Sequence, residues 1–465
     1  MSEQFDLVIV GAGPGGYEAA IRASQLGMKT ALIERGEVGG TCLNRGCIPT
    51  KALLHAAESW RALQHFPELG LSVEGAGFDY QKVSAYKNGM VERLRAGVEG
   101  LIRANGITLV HGGALITGPH QVAVSGGEER RLTGERILIA AGSLPAVPPI
   151  GGADLPGVMD SDMLLSCERL PQSLCLIGGG VIGVEFSTVL SSFGCKVTIL
   201  EAAPRLLPGM DREISQNLAM ILKKRGVDIH TGALVRRIER DGELLCTYEE
   251  KGEERTLSCE NVLIATGRRP NTAGLFAPGA EPKMERGAVR VDDDFRTDVE
   301  GLYAIGDALG GIQLAHAASA QGIYAVERMA GKEPSVCLSA IPSCVYTDPE
   351  IASVGLTADE CKERGIAYRC TKYLMSGNGK SMLSLQERGF VKLVFEEGSE
   401  VLLGAQLMCA RATDMVGELC DALANRLTAR QLARTVRPHP TFCEGITEAV
   451  EDLWGRSIHT PPKRR

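Results

Sequence analysis

A loosely repeated unit of strand, glycine-rich turn, helix, strand and acid constrains the fold of this chain more than any other feature. Residues 6–34 read DLVIVGAGPGGYEAAIRASQLGMKTALIE, and residues 174–201 read LCLIGGGVIGVEFSTVLSSFGCKVTILE. In both copies 23 residues separate the first glycine from the closing glutamate. A βαβ unit of this kind builds a parallel sheet covered by helices, so the repeat predicts two Rossmann-like dinucleotide-binding domains in one α/β chain.

The glycines of each unit have the spacing of a phosphate-binding turn. The first glycine makes the tight turn, the second lets backbone approach a pyrophosphate, and the third lets helix pack on strand, while the helix N-terminus attracts phosphates. Glycines that only shape βα turns are the alternative, and two matched copies argue against it. The residues predicted to bind cofactor are Gly11, Gly13, Gly16 and Glu34 in the first copy and Gly178, Gly180, Gly183 and Glu201 in the second.

Two glutamates end the repeated units, and the second one bears on the choice of nicotinamide cofactor. A carboxylate at Glu201 accepts hydrogen bonds from a free ribose hydroxyl and repels a 2′-phosphate, which favours NAD over NADP. A solvated charge at the end of a strand is the alternative for Glu201. Each unit is followed by a further strand that ends in a glycine turn, at Gly142 and at Gly267, and we expect both turns to border a nucleotide.

A pair of cysteines, Cys42 and Cys47, lies in the segment GGTCLNRGCIPTK of residues 39–51. A close pair in a reducing compartment is more often catalytic or metal-binding than structural, and no second Cys/His pair of zinc spacing accompanies it. On a regular helix, positions five apart point to different sides and lie too far apart for a disulfide. Either the pair never forms a bridge, or Gly46 and Pro49 distort the helix between and after the two cysteines.

The composition describes a globular protein of several domains without a nucleic-acid partner. The chain has 465 residues and a formal net charge of −7, with no long apolar run and no basic segment before the first strand. These features predict a cytoplasmic protein that does not bind nucleic acid and does not enter a membrane. We also predict that it holds no metal.

The chain resembles the pyridine nucleotide–disulfide oxidoreductases over essentially its whole length. The resemblance is carried, in order, by GAGPGGYEAA, GGTCLNRGCIPTK, GGGVIGVE, LIATGRRPN, GLYAIGDA, VYTDPEIASVGLT and HPTFCEG. It implies FAD and NAD as cofactors and, within the family, resembles most the members that oxidise a protein-bound dihydrolipoyl group. The lipoyl group would come from the lipoyl domain of a 2-oxo acid dehydrogenase or glycine cleavage complex.

Each site residue of the family can be matched with a residue of this chain. By resemblance, Cys42 is the thiol that exchanges with substrate, and Cys47 is the thiol that lies against the flavin. Lys51 would lie near the flavin with Glu185 as its carboxylate partner. Asp307 would hold the ribityl chain, and we also predict a cofactor contact at Ala315.

His439 resembles the family's base, which takes a proton from the dithiol, and Glu444 the acid that orients that base. In the family this histidine reaches the site from the other subunit, so the resemblance implies a homodimer. From the residues alone, Thr441 and Glu444 also form a capping-box pattern at the start of a helix, which leaves the role of Glu444 open.

The resemblance also suggests how the chain divides. We expect an FAD-binding domain with the cysteine pair at residues 1–145, an NAD-binding domain at 146–270, and a central segment at 271–340 that completes the FAD domain. The remaining residues, 341–465, are predicted to form an α+β dimerisation domain.

Three residues depart from the pattern common in the family. Arg45 stands where an apolar residue is common, and its charge, two positions from Cys47, would stabilise a thiolate. Arg437 stands where many relatives have a second histidine. Cys443 is expected to be a small packing residue.

Two rival functions differ from this interpretation. A glutathione-reductase-like enzyme normally uses NADP, against which Glu201 argues, and tends to have a tyrosine at the position of Val181. A flavin-binding scaffold subunit without catalysis would have no use for both cysteines and His439.

Overall fold

The first parallel sheet forms around an apolar strand whose two faces are both covered. In the computed structural model, which describes residues 3–126 and 129–461, this strand (β1) is flanked by β2 and β6, and all three run parallel. The sheet order is β3-β2-β1-β6-β5-β4, with β4 and β5 antiparallel at one edge. The strands of this segment are β1 Glu3–Val10, β2 Thr30–Glu34, β3 Thr108–His111, β4 Gly113–Gly118, β5 Gln121–Ser125, β6 Arg130–Ile139 and β7 Ser143–Pro145.

Helices of the same segment cover the sheet and supply the cysteine pair. The residues of β1 are buried from Leu7 onward, as expected for a parallel strand between two helical layers. The helices are α1 Pro14–Gln25, α2 Gly40–Arg45, α3 Cys47–Ala62 and α4 Tyr80–Ala104, with a 3₁₀ turn at Leu63–Leu69.

A second parallel sheet repeats the arrangement of the first. Its order is β11-β10-β9-β15-β8, and an antiparallel sheet of order β12-β13-β14 lies beside it. The strands are β8 Val158–Met159, β9 Ser173–Ile177, β10 Lys196–Glu201, β11 Asp228–Thr231, β12 Ala233–Asp241, β13 Glu243–Glu250, β14 Glu253–Cys259, β15 Asn261–Ile264 and β16 Arg268–Pro270. The helices are α5 Ser161–Leu165, α6 Val181–Ser192 and α7 Arg212–Lys224.

The chain then returns to the first sheet. Strand β19 (Leu302–Ala304) runs parallel to β6, and helix α8 (Ala315–Met329) packs so closely on α1 that a Cβ at Gly322 would lie 2.6 Å from the Gly15 carbonyl oxygen. The other elements of this segment are β17 Met284–Glu285, β18 Ala288–Val289 and a 3₁₀ turn at Gly306–Leu309.

The C-terminal segment is an antiparallel sheet with helices on it, as the sequence predicts. The sheet order is β20-β21-β24-β23-β22. Its strands are β20 Ser343–Val345, β21 Ile351–Gly355, β22 Tyr368–Leu374, β23 Phe390–Glu396 and β24 Leu402–Met408. Its helices are α9 Ala358–Glu363, α10 Gly379–Leu383, α11 Ala412–Ala424, α12 Ala429–Leu432 and α13 Glu444–Glu451, with 3₁₀ turns at Met375–Gly377 and Asp452–Trp454.

Helix α13 begins three residues later than the sequence pattern suggests. The capping-box pattern places the start of the helix at Thr441, but Thr441 belongs to the preceding loop, where its hydroxyl donates to the Pro438 carbonyl oxygen at 2.8 Å. Of the helices in the part of the chain that the structure describes, none has both the length and the apolar character needed to cross a membrane.

Candidate active site

One large cavity connects the two nucleotide folds. It has a volume of about 1610 Å³ and extends from Glu34, at the end of β2, to Glu201, at the end of β10. The cysteine pair lies between these two ends, because Cys42 and Cys47 both line the same cavity. The carboxyl ends of the parallel strands therefore face one continuous space, which is where open α/β sheets bind their ligands.

The first glycine turn has the close contacts that its sequence predicts. Gly11 adopts a φ of 103°, and a Cβ there would lie 2.3 Å from the Ala140 carbonyl oxygen. A Cβ at Gly16 would lie 1.8 Å from the Gly11 carbonyl oxygen, so only glycine lets α1 start this close to β1. Gly13 caps α1, whose N-terminus opens on the cavity. An anionic group at this helix end would meet free backbone N–H groups.

The second glycine turn repeats the first in detail. Gly178 has a φ of 112°, and a Cβ at Gly183 would lie 2.1 Å from the Gly178 carbonyl oxygen. Gly180 caps α6 as Gly13 caps α1. Gly142 and Gly267, in the turns that follow each unit, also have positive φ values, of 71° and 122°, and line the cavity.

The two closing glutamates make equivalent hydrogen bonds. Glu34 accepts bonds from the backbone N–H groups of Ala12 and Gly36, both at 2.8 Å. Glu201 accepts bonds from the corresponding groups of Gly179 at 2.5 Å and Ala203 at 2.6 Å. Each carboxylate thus fixes its own glycine turn, and it retains further lone pairs that can accept from a ribose.

Asp307 lies in the cavity wall and is held by residues from the other two nucleotide segments. Ser143 donates to Asp307 Oδ2 at 2.5 Å, and Arg268 Nε donates to the Ser143 hydroxyl oxygen at 2.7 Å. Ala315, the first residue of α8, also lines the cavity. The sequence pattern did not indicate Ser143 or Arg268, because the contact between these two residues depends on the pairing of β7 with β16.

The helix that carries the two cysteines is broken between them. Helix α2 ends at Arg45, Gly46 has a φ of −146° and a ψ of −111°, and α3 begins at Cys47. A Cβ at Gly46 would lie 2.9 Å from the Thr41 carbonyl oxygen, so the break requires glycine. Pro49 lies in the first turn of α3, where its missing N–H costs no helical hydrogen bond. Of the two alternatives from the sequence, the structure has the distorted helix.

Both cysteines are half-buried thiols, and they differ in acidity. A hydrogen bond from Cys42 and the charge of Lys51 outweigh burial and lower the pKa of Cys47 to about 7. The same hydrogen bond, together with burial, raises the pKa of Cys42. Cys47 is therefore the more acidic thiol of the reduced pair, and Cys42 is the less acidic one.

Lys51 and Glu185 form the predicted ion pair. Lys51 Nζ lies 3.0 Å from Glu185 Oε1 and 2.8 Å from Oε2, and the Glu185 side chain is only 4% exposed. The backbone N–H of Tyr346 donates to Glu185 Oε1 at 2.9 Å. Tyr346 belongs to the segment VYTDPEIASVGLT, but no pattern in that segment distinguishes it from its neighbours.

His439 and Glu444 are joined to each other but lie away from the cysteines. His439 Nδ1 lies 2.8 Å from Glu444 Oε1, and the backbone N–H of Thr441 donates to Glu444 Oε2 at 2.8 Å. The Thr441 hydroxyl donates to the Pro438 carbonyl oxygen instead of accepting the reciprocal capping-box bond from the Glu444 N–H. The His439 side chain is 79% exposed, and within the described residues it is not part of the cavity wall.

The three departures from the family pattern have distinct environments. Arg45 Nε lies 3.2 Å from Asp162 Oδ2, whereas the Lys51 charge lowers the Cys47 pKa, so a stabilising effect of Arg45 on the thiolate stays a prediction. The Arg437 side chain is 3% exposed and pairs with Glu418. Cys443 packs against the apolar core of the C-terminal segment, as expected.

Two curated relatives align with nearly the whole chain. A dihydrolipoyl dehydrogenase of Bacillus subtilis (strain 168) is 39% identical over 473 residues, which covers 99% of this chain and 100% of the relative. A dihydrolipoyl dehydrogenase of Geobacillus stearothermophilus is 40% identical over 463 residues, covering 98% and 97%.

Solved structures show the same architecture. LpdA from Mycobacterium tuberculosis superimposes with a TM-score of 0.89 at 26% identity, covering 97% of this chain and 99% of that structure. The copper(II) complex of the HOCl-induced flavoprotein disulfide reductase RclA from Escherichia coli gives a TM-score of 0.87 at 30% identity, covering 97% and 100%.

Two dinucleotide folds that share one cavity with a cysteine pair define a class of redox enzymes that link a pyridine nucleotide to a disulfide. Residues 5–322 match the family described as pyridine nucleotide-disulphide oxidoreductase, and residues 341–450 match the dimerisation domain of that family. The chain belongs to the pyridine nucleotide-disulphide oxidoreductases. The predicted membership and fold class are confirmed.

Members of this family use FAD and NAD, and the cavity fits both cofactors. Each end offers a turn whose first and third glycines leave no room for a Cβ, a helix N-terminus for phosphates and a carboxylate for a ribose. Within the described residues, no three His, Cys, Asp or Glu side chains are grouped to hold a metal ion.

Proposed function

We propose that this protein is an NAD-dependent dihydrolipoyl dehydrogenase, which oxidises a protein-bound dihydrolipoyl group through the Cys42–Cys47 pair. The observation that carries the proposal is the position of this pair, at a helix break in the cavity between the two glycine turns. The two curated relatives described above, each aligned over nearly the full length of this chain, have this activity in their names.

The chemistry of the pair follows from the different acidity of its two thiols. In the oxidised enzyme, a lipoyl thiolate attacks Cys42, and Cys47 leaves as the thiolate. The second lipoyl thiol then displaces Cys42, which gives the lipoyl disulfide and an enzyme dithiol. Cys47 suits the role of leaving group because its pKa is the lower of the two. FAD supplies the two-electron path from this dithiol to NAD.

Lys51 and Glu185 are assigned to the flavin edge of the site. The Glu185 carboxylate is nearly buried, and the Lys51 ammonium that it holds acts on Cys47 and favours the thiolate over the thiol. Asp307 and Ala315 are assigned to the flavin as well, since both border the cavity between the first glycine turn and the cysteines.

His439 is proposed as the base that takes the proton from the attacking lipoyl thiol. Burial opposes ionisation of Glu444, but the hydrogen bonds from Thr441 and His439 prevail and hold its pKa below its usual value. An ionised carboxylate fixes the orientation and the tautomer of the imidazole. Because His439 is exposed and outside the cavity of its own chain, we assign it to the site of a second subunit in a homodimer.

The chain is divided as follows in this proposal. Residues 1–145 and 271–340 bind FAD, residues 146–270 bind NAD, and residues 341–465 form the dimer. The pairing of β19 with β6 supports the assignment of the central segment to the FAD domain. We place the protein in the cytoplasm, where its substrate is the lipoyl domain of a 2-oxo acid dehydrogenase or glycine cleavage complex.

A test of this function uses the purified homodimer with NAD and dihydrolipoamide, followed by the absorbance of NADH. We expect rapid NAD reduction, and negligible oxidation of NADH or NADPH by glutathione disulfide. Cys42→Ser and Cys47→Ser should each lower the rate by at least about a hundredfold, because each removes one half of the disulfide.

The exposed Cys337 supplies a matched control, since Cys337→Ser changes a thiol outside the cavity and should leave the rate unchanged. Turnover of glutathione disulfide at or above the rate with lipoamide would move the protein to the glutathione-reductase branch of the family. Binding of FAD without turnover of either substrate would favour a scaffold role.

A further inference from the structure

Tyr346 contacts both members of the Lys51–Glu185 ion pair. It follows β20 directly, lines the cavity, and is 36% exposed. The Lys51 ammonium lies 4.5 Å from the centroid of the Tyr346 ring, within the range of a cation–π contact. The backbone N–H of the same residue donates to Glu185. Tyr346 therefore contacts the ion pair on two sides, with its ring at Lys51 and with its backbone N–H at Glu185.

These contacts restrict where the Lys51 ammonium can lie. The Lys51 side chain is 29% exposed, so part of the ammonium borders open cavity. Both oxygens of Glu185 accept from Lys51 Nζ on one side, and the face of the Tyr346 ring lies on another. Without the ring, the long lysine side chain loses one of the two groups that these contacts place beside its ammonium.

The position of this ammonium matters for Cys47. The groups that act on the Cys47 thiolate are Cys42 from α2, Lys51 from its own helix and Glu185 from α6, and only Lys51 carries a positive charge. The Glu185 carboxylate acts in the opposite direction. A lysine that moves away from Cys47 therefore leaves the thiolate beside a nearly buried negative charge.

Two further titratable groups face the ion pair from β20 and its following loop. They are the Cys344 thiol and the Tyr346 phenol, and burial raises the pKa of Cys344 to about 11 and that of Tyr346 to about 12. Both groups are thus neutral near pH 7. In the homodimer proposed above, His439 of the second subunit would face the same cysteine pair.

We propose that Tyr346 is a positioning residue whose ring holds the Lys51 ammonium beside Cys47 and so keeps Cys47 ionised. The inference rests on the proposed function in one respect only, namely that the Cys47 thiolate takes part in dithiol oxidation. Its test measures the reactivity of Cys47 without a dithiol substrate or NAD, so the inference and the proposed function can fail separately.

The experiment uses the flavin-loaded homodimer with Cys42→Ser, in which Cys47 is the only thiol of the pair. The rate of Cys47 modification by methyl methanethiosulfonate is measured against pH by mass spectrometry. We expect Tyr346→Leu to raise the apparent pKa of Cys47 and to slow its modification near pH 7 by about two- to fivefold, the factor that corresponds to a cation–π contact at a partly exposed site. Tyr346→Phe keeps the ring and should match the unaltered residue.

A double-mutant cycle identifies the route of the effect. With Lys51→Met, Cys47 should already be less reactive near pH 7, and Tyr346→Leu should change it no further. An equal effect of Tyr346→Leu with and without Lys51 would overturn the proposal, as would an effect of Tyr346→Phe as large as that of Tyr346→Leu. Tyr346→Met serves as a second ring-free variant, and flavin content verifies that each variant is folded.

Discussion

At the scale of single residues, the two closing glutamates show how one side chain can shape a loop and recognise a ligand. Glu34 and Glu201 each accept one backbone N–H group of their glycine turn and one from the residue two positions after the glutamate itself. The sequence predicted the carboxylates and their distance from the glycines, because that distance follows from the length of a βαβ unit. It did not predict the backbone bonds, which depend on how the strand end curls back over the turn.

Removal of the Glu201 charge should narrow the preference for NAD over NADP. Glu201→Gln removes the repulsion of a 2′-phosphate and weakens the bond to the free ribose hydroxyl. A hydrogen bond to a charged group contributes about 1.5–3 kcal/mol, so we expect the ratio of kcat/KM for the two cofactors to fall by about tenfold or more.

Glu201→Ala provides the comparison, because it also removes the acceptor for Gly179 and Ala203 and should raise the KM for both cofactors. Equal kcat/KM values for NAD and NADP in the unaltered protein would show that Glu201 does not select the cofactor.

Other residues of the site could not be found by spacing. Ser143 and Arg268 lie 125 positions apart and meet only because β7 pairs with β16. Tyr346 reaches the Lys51–Glu185 pair from a third segment. Contacts of this kind are set by the packing of separate domains, and no local pattern in one sequence records them.

At the scale of elements, the helix break at Gly46 makes the cysteine pair possible. The spacing of the cysteines already indicates that a disulfide requires a distorted helix, since a regular helix keeps Cys42 and Cys47 too far apart. The structure meets it by ending α2 and starting α3 around a glycine whose Cβ would contact Thr41.

Gly46→Ala should therefore impair the pair specifically. The new Cβ would lie 2.9 Å from the Thr41 carbonyl oxygen and 3.3 Å from Cys42 Cα, so the backbone between the cysteines must shift. We expect slower formation of the Cys42–Cys47 disulfide, measured by thiol counting, and a loss of turnover of about tenfold or more, since misplacement by about 1 Å can cost about a hundredfold.

The matched control is Gly89→Ala in α4, where no atom lies within 4 Å of the added Cβ. This variant should form the disulfide at the unaltered rate and unfold at the same or a slightly higher temperature, because alanine is the better helix former. Normal disulfide formation in Gly46→Ala would contradict the account of the break.

The packing of separate elements also brings together residues that lie far apart in the sequence. Cys175, Cys246 and Cys259 lie on β9, on β13 and at the end of β14, and they pack in one buried apolar cluster. No local pattern in the sequence indicates that these three strands pack against each other. The repeated βαβ units, by contrast, were predictable because their glycines and acids are local.

At the scale of the whole molecule, the main feature is that His439 lies outside the lining of the cavity that contains the cysteines. His439 keeps its bond to Glu444 in a single chain, but its side chain is largely exposed. Large apolar side chains of the same segment are exposed as well, among them Val436 at 94% and Ile458 at 82%. A surface of this kind, in a dimerisation domain, indicates contact with a second subunit.

The most direct test of this account is recovery of activity in mixed dimers. His439→Ala and Cys42→Ser should each be nearly inactive as homodimers, since loss of a general base alone costs about 10²–10⁴-fold. After subunit exchange, half of the dimers are mixed, and each holds one site with both Cys42 and His439 intact. We therefore predict recovery to about a quarter of the unaltered turnover of dihydrolipoamide with NAD.

The control mixes Cys42→Ser with Cys47→Ser, for which no recovery is expected, because both cysteines of a site come from one chain. Recovery to about a quarter in the first mixture alone is the result that the shared site predicts. No recovery in the first mixture, after subunit exchange has been verified, would show that His439 and Cys42 do not meet across two subunits.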